Sequence, residues 1–374
     1  MQPPQIPVAE FHAALAARGV ELFAGVPDSL LSPLCAYLAA TLDGAHYLIT
    51  ANEGNAIAIA AGYHLATGRP ACCFMQNSGL GNAVNPLLSL TDEEVYSIPL
   101  LMLVGWRGEP GTSDEPQHTT QGRLTLPLLR TLGIDHQVLD PTRWHSQIDD
   151  AMAALRASRP YALVVRRGTF AAFPATAGPN PYSMTREQAL EIILDGVGQD
   201  FVVSSTGKAS REIYEIRKRR GQPHDHDFLT VGSMGHASSI ALGIGLGDAA
   251  APVWCVDGDG AFIMHMGAAA LLAADAPPGL RYIVINNGAH ESVGGQPTLG
   301  FDIDLPGVLR DVGFSPVHQA RTPEELTAAM AELRTGGGAL VVMTKLGARA
   351  DLGRPEHTPR QNKAAFSAAL RARP

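Results

Sequence analysis

Apolar residues in this chain gather into short runs closed by glycine, proline, asparagine or aspartate, and the runs alternate with stretches of helical spacing. VWCV at 253–256, YIVI at 282–285, ACCFM from Ala71, LLMLV from Leu100, YALVV from Tyr161 and ALVVM from Ala339 contain almost no polar alternation. That is the pattern of strands buried on both faces of a parallel sheet. VELFAGV, YLITA, DFVVSST and FLTV complete the set of strands, while residues 8–18, 52–68, 186–197 and 322–334 repeat apolar positions at helical intervals. Further helices are predicted in PDSLLSPLCAYLAA, REIYEIRKRR, ASSIALGIGL and LPGVLRDVG and near 361–372. GLGNAVNPLLSL and the polar, turn-rich RGEPGTSDEPQHTTQG read as loops.

Strand-helix alternation over two stretches of domain size predicts an α/β fold with two doubly wound parallel-sheet domains, residues 1–172 and 185–374. The segment AAFPATAGPNPYS carries three prolines and no period, so the linker is assigned to 173–184. No internal repeat is visible at the level of sequence.

Composition narrows the class. The 374 residues are 45% hydrophobic and 17% charged, with a net charge of −8. The one basic cluster, RKRR at 217–220, reads as a solvated helix end, and a nucleic-acid partner is not expected. Cys35, Cys72, Cys73 and Cys255 lie in or beside apolar segments without a CxxC pair, and are expected as buried free thiols. The N-terminal residues lack a signal-peptide pattern and no run reaches membrane-spanning length, so a cytoplasmic protein without a membrane partner is expected.

Candidate chemistry centres on Gly258-Asp259-Gly260, which leaves strand VWCV where backbone amides can approach an anion. The carboxylate of Asp259 beside an anion calls for a divalent cation between them. Magnesium suits that place, because it takes oxygen ligands and fills its octahedron with substrate phosphates. Asn287, closing the next strand, and the carbonyl of Ala289 can supply neutral oxygens. Elsewhere the residues leave alternatives open. Asp28 is either a helix N-cap or a carboxylate at the carboxyl end of a strand, and Ser29 beside it can cap equally well. Glu53 stands in the first turn of its helix, where the dipole alone favours it. His118 is an exposed loop histidine or a site residue. Arg107 either stacks on Trp106 or meets an anionic substrate. Lys208 could reach a phosphate or a substrate tail, Arg211 is a solvent-facing charge or a second cation, and Met234 is core or wedge.

GDG followed by a strand ending in NN, together with NEGNA followed by AAGYHLATGRP, resembles the thiamine-diphosphate-dependent 2-oxoacid decarboxylases. The resemblance implies a pyrimidine-binding first domain and a diphosphate-binding second domain, without the middle domain of many relatives. It implies thiamine diphosphate and Mg2+ as cofactors, with Asp259, Asn287 and the Ala289 carbonyl as metal ligands. Thr206, Gly232, Met234, Gly258, Gly260 and Ala261 are implied as coenzyme contacts. Glu53 then holds the aminopyrimidine, a task eased by burial that raises a carboxyl's pKa. Asp28 and His118 are implied as the proton-handling pair.

GVPDSLLSPL, WRGEPGTSDEPQH, STGKASRE and NNGAHESVGGQPT are similar to members of that family acting on 3-phosphonopyruvate, and imply its decarboxylation to phosphonoacetaldehyde. Asp28, Ser29 and His118 would then face the substrate, and Arg107, Lys208 and Arg211 are the cations available to a phosphonate. The glutamate that some relatives place over the thiazolium has no counterpart at the same offset, leaving His290 or Glu291 for that role. Sulfopyruvate decarboxylation and carboligation are the competing activities. A homodimer or homotetramer is implied, with each active site shared by two subunits.

Overall fold

The computed structural model describes residues 3–174, 180–347 and 351–373. Residues 175–179 of the expected linker lie outside the described residues. The chain divides into two compact units, Met1–Ala177 with Val293–Gln296, and Gly178–Ser292 with Pro297–Pro374.

The first unit runs α1 (Val8–Ala16), β1 (Phe23–Gly25), α2 (Ser32–Thr41), β2 (Tyr47–Ile49), α3 (Glu53–Thr67), β3 (Ala71–Gln76), α4 (Leu80–Leu90), β4 (Leu100–Gly105), α5 (Pro116–Thr131), β5 (Asp135–Val138), α6 (Trp144–Arg156) and β6 (Tyr161–Val165). Its six strands pair in parallel in the order β2-β1-β3-β4-β6-β5. Side-chain alternation along β4 feeds two cores. Leu101 and Leu103 meet Phe11, Leu34 and Trp144 from α1, α2 and α6, while Met102 and Val104 meet Ile57, Leu80 and Leu129 from α3, α4 and α5. Each such side chain contributes about 1.5–3 kcal/mol by leaving water.

The second unit runs α7 (Arg186–Val197), β7 (Phe201–Ser204), α8 (Lys208–Arg219), β8 (Asp227–Leu229), α9 (Ala237–Gly247), β9 (Val253–Gly258), α10 (Asp259–Met264), α11 (Gly267–Asp275), β10 (Leu280–Asn286), the two-residue strands β11 (Ala289–His290) and β12 (Gln296–Pro297), α12 (Leu305–Asp311), β13 (Val317–Ala320), α13 (Pro323–Gly336), β14 (Gly338–Met343) and α14 (Pro359–Arg371). Its main sheet is also parallel, in the order β13-β14-β10-β9-β7-β8. Trp254, Val256, Ile283 and Ile285 face α7, α8 and α13, and Val253, Cys255, Tyr282 and Val284 face the other layer. Read from the opposite edge, this sheet repeats the strand order of the first.

Two stretches read as loops are helical. GLGNAVNPLLSL forms α4 despite its glycines and Pro86, because Leu80, Ala83 and Leu87 bury one face against α3. The polar run after Trp106 enters α5 at Pro116, whose missing N–H is no loss at a helix start. The four cysteines are buried and free. Among the described residues no helix is long and apolar enough to cross a membrane.

Candidate active site

In the first unit the sheet order sets the carboxyl ends of β1, β3 and β4 side by side. Ligands of open α/β sheets bind at that edge. Asp28 follows β1 and is fully buried, and its Oδ2 accepts the Leu30 N–H at 2.8 Å. It ties a turn and does not cap α2, whose cap residue is Leu31 and which has no side-chain cap. Oδ1 has no hydrogen-bond partner among the described residues. Burial, opposed by backbone amides and Arg107, pushes this carboxyl up to about 6. Gly105 at the end of β4 makes the room, since a Cβ there would lie 2.1 Å from Asp28 Oδ2.

Glu53 opens α3, whose cap Asn52 accepts the Asn55 N–H at 3.0 Å. The glutamate is buried, and burial raises its pKa while Asn82, donating to Oε2 at 2.8 Å, restrains the rise. Gly79 is the second fitted glycine, because a Cβ there would stand 2.2 Å from Glu53 Oε1. Asn82 and Gly79 were hidden in the sequence because their segment read as a loop.

Arg107 does not stack on Trp106; Arg166 does, at 5.8 Å. The Arg107 guanidinium forks onto Asp114 at 2.8 and 2.5 Å and reaches Ser29 Oγ at 2.9 Å. Burial pushes Asp114 up, but Arg107 and the amides of Glu115 and Gly108 hold its carboxyl well below the usual range. The arginine is therefore already neutralised by a residue that sequence reasoning missed. His118 is a buried residue of the first turn of α5 and not a loop histidine, and its Nδ1 has no partner among the described residues. Burial and then Arg107 lower its pKa.

In the second unit one pocket is lined by Thr206, Lys208, Met234, Gly258, Asp259, Gly260, Ala261, Asn287 and Ala289, among others. Gly232 joins this set through its N–H, which donates to Thr206 Oγ1 at 3.0 Å, and its φ of 73° explains the glycine. Arg211, further along α8, does not line the pocket. Asp259 is buried, accepts the Thr298 hydroxyl and the amides of Gly260 and Asn287, and is pushed up to about 6 by desolvation. Gly260 and Gly300 are tight, since a Cβ on the first would stand 2.8 Å from His290 Cε1 and on the second 2.6 Å from Asp259 Oδ2. Asp257 supports the turn, accepting the Gly258 N–H at 2.9 Å and the Tyr282 hydroxyl at 3.1 Å.

Asn287 is held at both ends. Its Oδ1 accepts the Ala289 N–H at 3.1 Å, and its Nδ2 donates to Glu291 Oε2 at 3.1 Å. Glu291 is paired with Arg186 and with Lys208, the latter at 3.1 Å, and Arg186 forks onto the buried Glu212 at 2.6 and 2.9 Å. Burial pushes His290 down to about 4, leaving a neutral imidazole.

These groups fit the implied cofactors. A buried carboxylate disfavoured by desolvation gains most from a cation beside it. Asn287 and Ala289 line the same pocket, and the side-chain oxygen of the first and the carbonyl of the second would complete an all-oxygen donor set. Among the described residues no group of three or more His, Cys, Asp or Glu side chains could hold a metal ion. A single carboxylate with neutral oxygens leaves positions for phosphate oxygens, which suits magnesium better than a transition metal.

The description "Thiamine pyrophosphate enzyme, N-terminal TPP binding domain" matches residues 9–127, and "Thiamine pyrophosphate enzyme, C-terminal TPP binding domain" matches 205–344. The chain is 38% identical to phosphonopyruvate decarboxylase of Streptomyces viridochromogenes, over 97% of this chain and 94% of that protein. It is 37% identical to the Streptomyces hygroscopicus enzyme of the same name, over 95% and 92%. Sulfopyruvate decarboxylase of Methanosarcina acetivorans is 28% identical over 75% and 77%. With both binding domains matched, and with relatives of this similarity aligned over nearly its whole length, the chain belongs to the thiamine pyrophosphate enzymes.

Proposed function

We propose that the chain decarboxylates 3-phosphonopyruvate to phosphonoacetaldehyde and carbon dioxide, using thiamine diphosphate and Mg2+, in phosphonate biosynthesis in the cytoplasm. The observation that carries this reading is the near full-length similarity to two phosphonopyruvate decarboxylases. When bound, thiamine diphosphate supplies the electron sink that loss of carbon dioxide from a 2-oxo acid requires.

The chain's own groups then have separate tasks. Glu53, desolvated and steadied by Asn82, shares a proton with a ring nitrogen. Asp259, Asn287 and Ala289 hold the cation, and the amides of Gly260 and Ala261 receive the diphosphate. Asp28, poised at about 6, and the neutral-leaning His118 each present an unpartnered buried atom, so they handle the proton that replaces carbon dioxide. Arg107 with Ser29, and Lys208, are the cationic candidates for the phosphonate. Both cations are already paired with carboxylates, so the tail would share them. Arg211 is a further candidate.

Sulfopyruvate is the second reading, favoured by the 28% identical relative. Carbon dioxide release should be measured with phosphonopyruvate, sulfopyruvate and pyruvate, with and without thiamine diphosphate and magnesium. Phosphonopyruvate should give the highest kcat/KM, and preference for sulfopyruvate would reverse the assignment. An added aldehyde acceptor that yields carbon-carbon bonded product would favour carboligation. Glu53→Gln should abolish turnover while coenzyme binding largely survives; normal turnover contradicts the role.

A further inference from the structure

Glu291 follows Asn287 closely enough to invite a catalytic role, and its surroundings argue for another. Both of its carboxylate oxygens are engaged. Oε2 accepts from Arg186 and from Asn287 Nδ2, and Oε1 accepts from Lys208. Arg186 cannot swing away, because two of its nitrogens are locked onto Glu212, which is 1% exposed. We propose that Glu291 is a positioning residue, and that the Arg186–Glu212–Glu291–Lys208 cluster presets the amide of Asn287 for the cation.

The logic is one of donors and acceptors. An ionised carboxylate only accepts and a backbone N–H only donates. With Glu291 on one side and the Ala289 N–H on the other, a flipped Asn287 amide would set oxygen against carboxylate and NH2 against N–H. Only one orientation survives, with the amide oxygen on the side of Ala289, the other neutral oxygen donor. Partners behind a ligand commonly carry a large share of metal affinity, and their removal lowers it roughly 10–100-fold. The four charges of the cluster cancel, so it orients the ligand without adding a field of its own sign.

This inference rests on the reading of Asn287 as a cation ligand. The test is calorimetric titration of Mg2+ into the full-length protein with saturating thiamine diphosphate, for wild type and Glu291→Gln, with thermal melting of the cofactor-free proteins. Glu291→Gln should weaken Mg2+ binding about 10–100-fold while kcat at saturating Mg2+ falls far less. An unchanged magnesium affinity overturns the proposal, and so does loss of kcat at unchanged affinity, which would make Glu291 a proton-transfer group. Should that variant fail to fold, Lys208→Gln removes only the partly exposed arm of the clamp and must still weaken Mg2+ several-fold; no change there overturns the proposal as well. If wild-type protein binds thiamine diphosphate equally well with magnesium and with a chelator, the reading of Asn287 and this inference both fall. If wild type needs magnesium and Glu291→Gln is indistinguishable from it, only the inference falls.

Discussion

Gly79→Ala adds one methyl group at a place where the backbone tolerates it and the neighbour does not. Gly79 has φ −73° and ψ −14°, open to any residue, so the substitution alone should stabilise by about 0.4–1 kcal/mol. The new Cβ, however, would lie 2.2 Å from Glu53 Oε1, 2.4 Å from Cδ and 2.5 Å from Cγ. Carbon atoms pack at about 3.5–4.0 Å, so the whole carboxyl must retreat by roughly 1 Å. Retreat breaks the 2.8 Å bond from Asn82 and takes a buried carboxyl off its support.

Overpacking of this kind costs about 1–3 kcal/mol, so a net loss of roughly 1–2 kcal/mol is expected after the backbone gain is subtracted. A misplacement of about 1 Å at a reacting group costs on the order of 100-fold in rate. Urea unfolding and kcat/KM for carbon dioxide release measure the two effects. In a Glu53→Ala background the obstacle is gone, and Gly79→Ala should become neutral or stabilising, giving a coupling energy of at least about 1 kcal/mol. Wild-type activity in Gly79→Ala, or equal destabilisation in both backgrounds, would refute the fitted-glycine account.

Three further outcomes follow from the same geometry. Asp28 is raised from 3.8 to about 6 by burial, so the folded state binds its proton more tightly than the unfolded state does; the stability this contributes is complete below about pH 4 and is lost as pH rises through 6. Asp28→Asn should therefore stabilise the cofactor-free protein by up to about 3 kcal/mol at pH 8 and by almost nothing at pH 4, as read from denaturation midpoints at both values. Asp114→Asn strips Arg107 of its fork and should cost roughly 2 kcal/mol, with the acid limb of the rate profile moving to lower pH as the unpaired guanidinium favours ionised Asp28; an unmoved limb counts against that coupling. If active sites are shared between subunits, mixing inactive Glu53→Gln with inactive Asp259→Asn under exchange conditions should restore up to about a quarter of wild-type turnover, from the dimers in which one site keeps both native residues; no recovery would argue for sites built within one chain.

How much was legible depended on where each element sits. Central strands such as LLMLVG and VWCVDG are buried along nearly their whole length and announce themselves as apolar runs. The edge strands β5, DHQV, and β13, VHQA, face more solvent and carry no such run, and no sequence pattern singled them out. Glu53, Asp259 and Asn287 were singled out because each stands in a motif that carries the resemblance to the thiamine-diphosphate enzymes. Gly79, Asn82, Asp114 and Glu212 were not, because their partners are distant in sequence or, for Asp114, lie across a loop whose course no periodicity reveals. His118 was placed in a loop because α5 begins with polar residues and becomes apolar only after Gly122.

The matching strand orders carry a historical consequence. No resemblance between the halves is visible letter by letter, yet both wind their strands through the same permutation, as duplicated ancestors would if side chains drifted and topology did not. On the roles proposed above, one half would manage protons and the other ions, each at the carboxyl ends of its strands. Separately encoded fragments ending at 174 and starting at 180 should be soluble when coexpressed, and insolubility on coexpression would count against the halves as independent folding units.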